Sequence, residues 1–243
     1  MESSLLLRMR NISEAGYNER LFGKGIRARL HLSRFYWVNE QLRRLSCSND
    51  SVFELGCFDG KLIEFLPHRP ISYLGIDANW EGGLDIAKKK WHQHPEYGFH
   101  HCSSPADLLL TPDTTFDIAV VMETLEHLSN DMVRAYLKRI AEHTKEYIFV
   151  TIPNEKGIVF LAKWAIKKIF SKDAEHYSFA EIVNATLGRM DRVQRKEHKG
   201  FDYNMIIRDV REYFDVVHVS GIPFSFLPIS LNFGVGIVGK KRY

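Results

Sequence analysis

The stretch ELGCFDGKL occupies residues 54–62. Two glycines, Gly56 and Gly60, stand four apart, with Glu54 just ahead of them and Asp59 between them. The apolar lead-in Ser51-Val52-Phe53 reads as the start of a strand, and the apolar-periodic run 60–66 reads as a helix. A strand, a glycine loop and a helix in this order allow two readings. Glycine can serve only the geometry of a tight turn, or it can let the backbone approach a ligand in front of the free N–H groups of a helix start.

The next apolar run bears on that choice. Tyr73-Leu74-Gly75-Ile76-Asp77 is a strand pattern ending in an acid. It lies about 20 residues beyond the glycine loop, where a carboxylate can accept hydrogen bonds from both hydroxyls of a ribose. A strand-end aspartate is otherwise often a helix cap. Phe58 stands where a dinucleotide loop has its middle glycine, which crowds a pyrophosphate. The loop also lacks the Lys-Ser/Thr ending of a triphosphate loop. Glu54 suits a cationic amino-acid tail, so an adenosine carrying an amino acid is the ligand that fits.

Further along, strands are expected at 71–76, 97–101, 116–122 and 147–152, with helices at 83–91 and 129–143 between them. Alternation of apolar strands with helices argues for a parallel sheet covered on both faces. Residues 157–212 read as mostly helical. Two closing strands, 214–220 and 232–238, have no helix between them and should pair antiparallel. Upstream, residues 19–46 read as largely helical, with a break near Gly23-Lys24-Gly25.

The set FELGCFDG, YLGID, FDIAVVMETLEHL and YIFVTIPN resembles the class I S-adenosylmethionine-dependent methyltransferases. The resemblance covers residues 50–153 and, less closely, the last two strands. It implies an α/β, Rossmann-like, seven-stranded and mostly parallel sheet with helices on both faces and the last strand antiparallel. It also implies S-adenosyl-L-methionine as cofactor. On that analogy Glu54, Gly56, Cys57 and Gly60 hold the methionine part through side chain and loop backbone, and Asp77 holds the ribose. Ala78 or Asn79 would lie beside the adenine. Members of the family often place an acid against the adenine amine after the third strand. Here Ser103 and Ser104 lie near that place and Asp107 comes slightly later, so Asp107 is the residue carried over. The resemblance divides the chain into a basic helical extension, 1–48, and a methyltransferase domain, 49–243, with a helical acceptor or lid insertion at about 155–212.

VVMETLEHL places Glu123, Glu126 and His127 at the carboxyl edge of the fourth strand. Residues three and four apart share one face of a helical turn, so these groups can converge. Two carboxylates and an imidazole suit a divalent ion such as Mg²⁺, Mn²⁺ or Zn²⁺, with His198 of RKEHKGF as a further ligand. The spacing is similar to ubiquinone-pathway O-methyltransferases and small-RNA 2′-O-methyltransferases, which use such a cluster to bind a metal. In that reading Glu123, His127 and His198 also serve the chemistry, with His127 taking a hydroxyl proton. The alternative is plain: a glutamate that caps the next helix, a histidine that packs, and a surface histidine in a basic run.

GIVFLAKWAIKKIFSK, residues 157–172, has Ile158, Leu161, Ala162, Ala165, Ile166 and Ile169 on one helical face and Lys163, Lys167 and Lys168 opposite. It reads either as a lid packing its apolar face on the domain or as an amphipathic helix on an anionic bilayer. A small-molecule or lipid-linked acceptor, such as a sugar, a glycolipid or a polyprenyl-linked aromatic, is the expected partner. Tyr177, Phe201 and Tyr203 are candidates for its pocket. Net charge is +3 over 243 residues, and no RNA-binding module is added, which argues against nucleic acid. Positive charge concentrates in residues 1–46, with nine Lys/Arg against four Asp/Glu. Three cysteines, Cys47, Cys57 and Cys102, lack metal-knuckle spacing and read as reduced thiols of a cytoplasmic protein, in peripheral contact with the inner face of a membrane if 157–172 lies on one. Residues 1–8 hold too short an apolar run for a signal peptide. The uncharged run 222–239 contains two prolines and three glycines and reads as a loop entering a buried strand rather than a spanning helix.

Overall fold

The structure, a computed structural model, describes residues 25–170, 177–195 and 199–242. In chain order its elements are α1 (Ile26–Leu45), β1 (Ser51–Leu55), β2 (Ser72–Asp77), α2 (Gly83–Lys90), β3 (Tyr97–His101), β4 (Phe116–Met122), α3 (Asn130–His143), β5 (Thr144–Pro153), α4 (Gly157–Phe170), α5 (Phe179–Thr186), α6 (Tyr203–Tyr213), β6 (Phe214–Ile222) and β7 (Gly234–Lys241). One seven-stranded sheet has the order β3-β2-β1-β4-β5-β7-β6. Strands β1 to β5 run parallel, and β7 is antiparallel to both β5 and β6.

The period-2 alternation of a strand explains why the central strands are apolar throughout. Phe53, Ala119, Val121, Ile148 and Val150 face a core shared with α3 and α6. Val52, Ile118, Val120 and Phe149 point the other way, into a core shared with α1 and α2. Helix α1 is thus a covering helix of the sheet. Its Trp37 lies over Gly236 of β7, where a Cβ would stand 2.3 Å from the indole, and its Nε1 donates to Ser220 Oγ at 2.9 Å. Glycine at 236 leaves the room the ring occupies.

Two expectations change. The helix foreseen at 60–66 is only a 3₁₀ turn, Lys61–Glu64. Pro67 biases Leu66 away from the helical region and offers no N–H to continue the ladder. Of the final strands, the first begins where expected and runs two residues further, Phe214–Ile222, and the second begins and ends later than expected, Gly234–Lys241. The uncharged run 222–239 is indeed a loop feeding a strand, with a 3₁₀ turn at Ile229–Leu231. No helix among the described residues is long and apolar enough to cross a membrane.

Helices α4 and α5 lie outside the two sheet cores. They hold a small core of their own, Phe160, Ala185, Met190 and Val193, flanked by Trp164, Tyr177 and Ile182. Arg195 ties this cap to the sheet edge by donating to the backbone oxygen of Glu126 at 2.9 Å, with its guanidinium 4.9 Å from the Phe201 ring.

Replacing Gly236 by alanine should destabilise the fold by about 1–3 kcal/mol through overpacking against Trp37. Urea unfolding should show a lower midpoint with an unchanged slope.

Candidate active site

Strand order reverses between β1 and β4, so their carboxyl ends open a crevice at the edge of the sheet. A cavity of about 1010 Å³ occupies it, lined by residues that follow β1 (Gly56, Cys57, Phe58), β2 (Ala78, Trp80), β3 (Cys102, Ser103), β4 (Glu123, Thr124) and β5 (Glu155). Its size matches the upper end of ligand pockets, about 300–1,000 Å³, so cofactor and acceptor can share it.

The glycine loop is held from two sides. Gly56 and Cys57 both donate their amides to Ile76 O, at 2.8 and 3.2 Å. Gly56 has φ 77°, and a Cβ there would stand 2.0 Å from Thr124 Oγ1, so both backbone and space demand glycine. Gly60 (φ 66°) serves packing instead, because its Cβ would meet Trp91 at 2.8 Å and Phe99 at 2.9 Å. Phe58 donates its amide to Asp77 Oδ2 at 3.2 Å, and Trp80 donates to Asp77 Oδ1 at 3.3 Å. Each oxygen of Asp77 keeps a further lone pair for a ligand hydroxyl.

Glu54 is buried at the end of β1 and lines the cavity. The Tyr73 hydroxyl donates to its Oε2. Burial holds its carboxyl well above the ordinary carboxylate range, against the Tyr73 hydrogen bond, and Asp59 and Asp77 push the same way. Glu126, only 1% exposed, is also raised, first by burial and then by Glu123, and neither of its oxygens has a hydrogen-bond partner among the described residues. His127 is half exposed at the cavity, its Nε2 4.0 Å from Glu126 Oε1.

Several expected contacts are engaged elsewhere. Asn79 turns its side chain to the start of α2, accepting from the Leu84 amide at 3.0 Å, and it does not line the cavity. Asp107 closes a capping box with Ser104 and accepts from the amides of Ser103 and Ser104 at 3.1 and 2.8 Å. Asp107 also lies off the cavity, while Ser103 lines it. Tyr177 lines the cavity too, but Phe201 is buried in the sheet core and Tyr203 lies beneath Lys156 Nζ at 4.0 Å. His198 falls outside the described residues. Glu123, Glu126 and His127 share the cavity wall, yet no three His, Cys, Asp or Glu among the described residues are arranged to hold a metal ion. The three described donors therefore do not by themselves form the metal centre that their spacing implied, and its fourth expected ligand, His198, lies outside the described residues.

The cavity also has walls that the local pattern did not announce. Helix α1 contributes His31, Arg34 and Phe35, and α4 contributes Phe160, Lys163 and Trp164. Positions 31 and 34 share a helical face, which was the available signal. Lys163 Nζ bridges Glu155 Oε1 (3.0 Å), Asn154 O (3.0 Å) and Phe233 O (3.2 Å), fixing α4 to the ends of β5 and the β6–β7 loop.

A family model described as a methyltransferase domain matches residues 52–147. Among solved structures, an S-adenosylmethionine-dependent methyltransferase from Clostridium acetobutylicum ATCC 824 superposes with a TM-score of 0.63 at 14% identity, covering 91% of this chain and 96% of that one. The small RNA methyltransferase HEN1 superposes at 0.61 with 16% identity, over 88% of this chain and 25% of that one. Magnesium protoporphyrin IX methyltransferase from Synechocystis PCC 6803, with bound S-adenosylhomocysteine, superposes at 0.56 with 14% identity, over 98% and 99%. No curated protein matches the sequence significantly.

Residues 52–147 match a methyltransferase domain, and the fold is the one that S-adenosylmethionine-dependent methyltransferases share.

The cavity fits S-adenosylmethionine chemically. A glycine loop, a ribose-ready aspartate and a buried acid line one continuous space. The acids Glu54 and Asp59 suit the sulfonium and ammonium of the donor, and Arg34, which draws on both Glu54 and Glu126 electrostatically, suits its carboxylate.

Two outcomes are expected. Asp77→Ala should weaken S-adenosylhomocysteine binding by about 1.5–3 kcal/mol, as charge-assisted hydrogen bonds are lost, and calorimetry reads this directly. Glu54→Gln should trade binding for stability. The unfolded chain releases this proton near pH ~4.3, the folded chain only at higher pH, so stability declines as pH rises through that interval. Glutamine keeps an acceptor for Tyr73 and removes the buried charge. A pH series of melting curves should show a higher midpoint and a flatter alkaline decline, while S-adenosylhomocysteine affinity falls.

Proposed function

We propose that this methyltransferase transfers a methyl group from S-adenosylmethionine to a hydroxyl oxygen of a small or lipid-linked acceptor, such as a sugar, a glycolipid or a polyprenyl-linked aromatic. The observation that carries the reading is the His127–Glu126 pair, an imidazole facing the cavity with a buried carboxyl 4.0 Å behind it that has no hydrogen-bond partner among the described residues.

When bound, the cofactor supplies a methyl on a sulfonium, which is a good leaving group. The chain's own task is then alignment and proton removal. The Gly56–Phe58 backbone, Glu54 and Asp77 orient the donor. Phe160, Trp164 and Tyr177 give the acceptor an aromatic wall and exclude water from the crevice. His127 takes the hydroxyl proton, and the carboxyls of Glu126 and Glu123 stabilise the imidazolium that results.

The lining also speaks to what the acceptor is not. Six acids, Glu54, Asp59, Asp77, Glu123, Glu126 and Glu155, line the cavity, which disfavours a polyanion such as RNA.

His127→Ala should lower kcat by about 10²–10⁴-fold and leave S-adenosylhomocysteine affinity unchanged. Transfer of labelled methyl to aryl-hydroxyl, glycolipid and RNA acceptors, with the product atom identified by mass spectrometry, checks the reading. Label on nitrogen, label on RNA, or full activity in the variant would overturn it. Failure of the wild-type protein to bind S-adenosylhomocysteine would instead favour a non-catalytic module.

A further inference from the structure

Helix α4 is turned over relative to the packing its sequence implies. A lid would bury its apolar face on the domain, but Ile158 is 61% exposed and Ile166 58%, while Phe160, Lys163 and Trp164 face the cavity. The next helix repeats the arrangement. Helix α5 packs beside α4 and carries Phe179, 83% exposed, with exposed Val183 and Leu187 four and eight residues on, along one stripe. Among the described residues, the outside of the cap is therefore an exposed apolar surface.

Charge identifies what covers it. Residues 156–200 hold ten Lys/Arg and five Asp/Glu, so this segment is more positive than the whole chain, whose net charge is +3, and the remainder is net negative. No acid occurs from residue 156 to 172, while five lysines do. Lys168 is exposed at the edge of the apolar face, with its Nζ 4.9 Å from the Trp164 ring. Apolar side chains flanked by lysine and tryptophan are the composition of a helix lying in the headgroup region of an anionic bilayer.

We infer that the outer face of α4 and α5 docks on an anionic lipid surface, with Ile158, Ile166 and Phe179 entering the acyl boundary and Lys168 meeting lipid phosphates. Neither helix spans the bilayer; both lie on it. The inference stands apart from the atom methylated. Where the proposed acceptor reading also holds, a lipid-linked acceptor would reach the cavity around the helix whose inner face lines it.

Sedimentation of the full chain with vesicles of phosphatidylcholine alone, or of an equal mixture with phosphatidylglycerol, tests this. Binding is expected on the mixed vesicles, weaker at raised salt, and about tenfold weaker in the double variant Ile158→Glu, Ile166→Glu. Both positions are exposed, so the variant should bind S-adenosylhomocysteine as the wild type does, which separates this test from failure of the cofactor reading. Absence of binding to mixed vesicles, equal binding by the variant, or a wild-type dimer in light scattering that the variant dissolves would overturn the inference. The last result would mean that a second copy covers the face.

Discussion

The approach of Gly56 to Thr124 is the contact on which the carboxyl edge depends. It brings the loop after β1 against the loop after β4, two neighbouring parallel strands whose connections leave on opposite faces of the sheet. With no Cβ at 56, Thr124 Oγ1 can sit over the loop and donate to Met122 O at 2.9 Å. On its other side the same loop gives two amides to Ile76 O, and Phe58 gives one to Asp77. Glycine loop, Asp77 and the start of the Glu123–His127 segment are consequently one hydrogen-bonded and packed unit. A side chain at 56 would not merely occupy ligand space; it would separate the elements that make the site.

That unit carries a cost. Two carboxyls, Glu54 and Glu126, are buried in it, and burial raises both. Neither is placed where an apolar core would want it. A ligand with cationic groups relieves the strain, because an opposite charge favours the ionised form. Stability without ligand and affinity for ligand are thus set against each other at the same residues, as expected where a site rather than a core chooses the side chain.

Much of the fold was legible because its signals are local. Continuous apolar runs at 116–122 and 147–152 announce strands buried on both faces, and Asp77 announces itself by closing a strand at the right distance from the loop. What was not legible depends on long-range placement. His31 and Arg34 reach the cavity because α1 covers the sheet beside β6 and β7 and presents its polar face at the edge, a relation between residues far apart in sequence. Asn79 and Asp107 fit a ligand contact by position, but each found a nearer task, Asn79 accepting from Leu84 at the start of α2 and Asp107 closing a short turn, since Asn and Asp compete for local backbone amides. The helix after Gly60 was lost to Pro67, a conflict visible in the sequence but outweighed there by the apolar periodicity.

Helix α4 shows the limit of amphipathicity as a guide. A helical wheel separates two faces; it does not say which one turns inward. The hydrophobic effect favours burial of the apolar face only where the neighbouring surface is a core. Here the neighbouring surface is the mouth of an acidic cavity. Lys163 satisfies Glu155 and two backbone oxygens there, and Phe160 and Trp164 fill the space beside it. Inverting the helix would withdraw Lys163 from that network and set isoleucines against carboxylates. The polar demand of the site therefore fixes the helix's orientation, and the exposed apolar face follows from it. A surface of that kind persists in water only at a cost in free energy, which the proposed docking on a bilayer would remove.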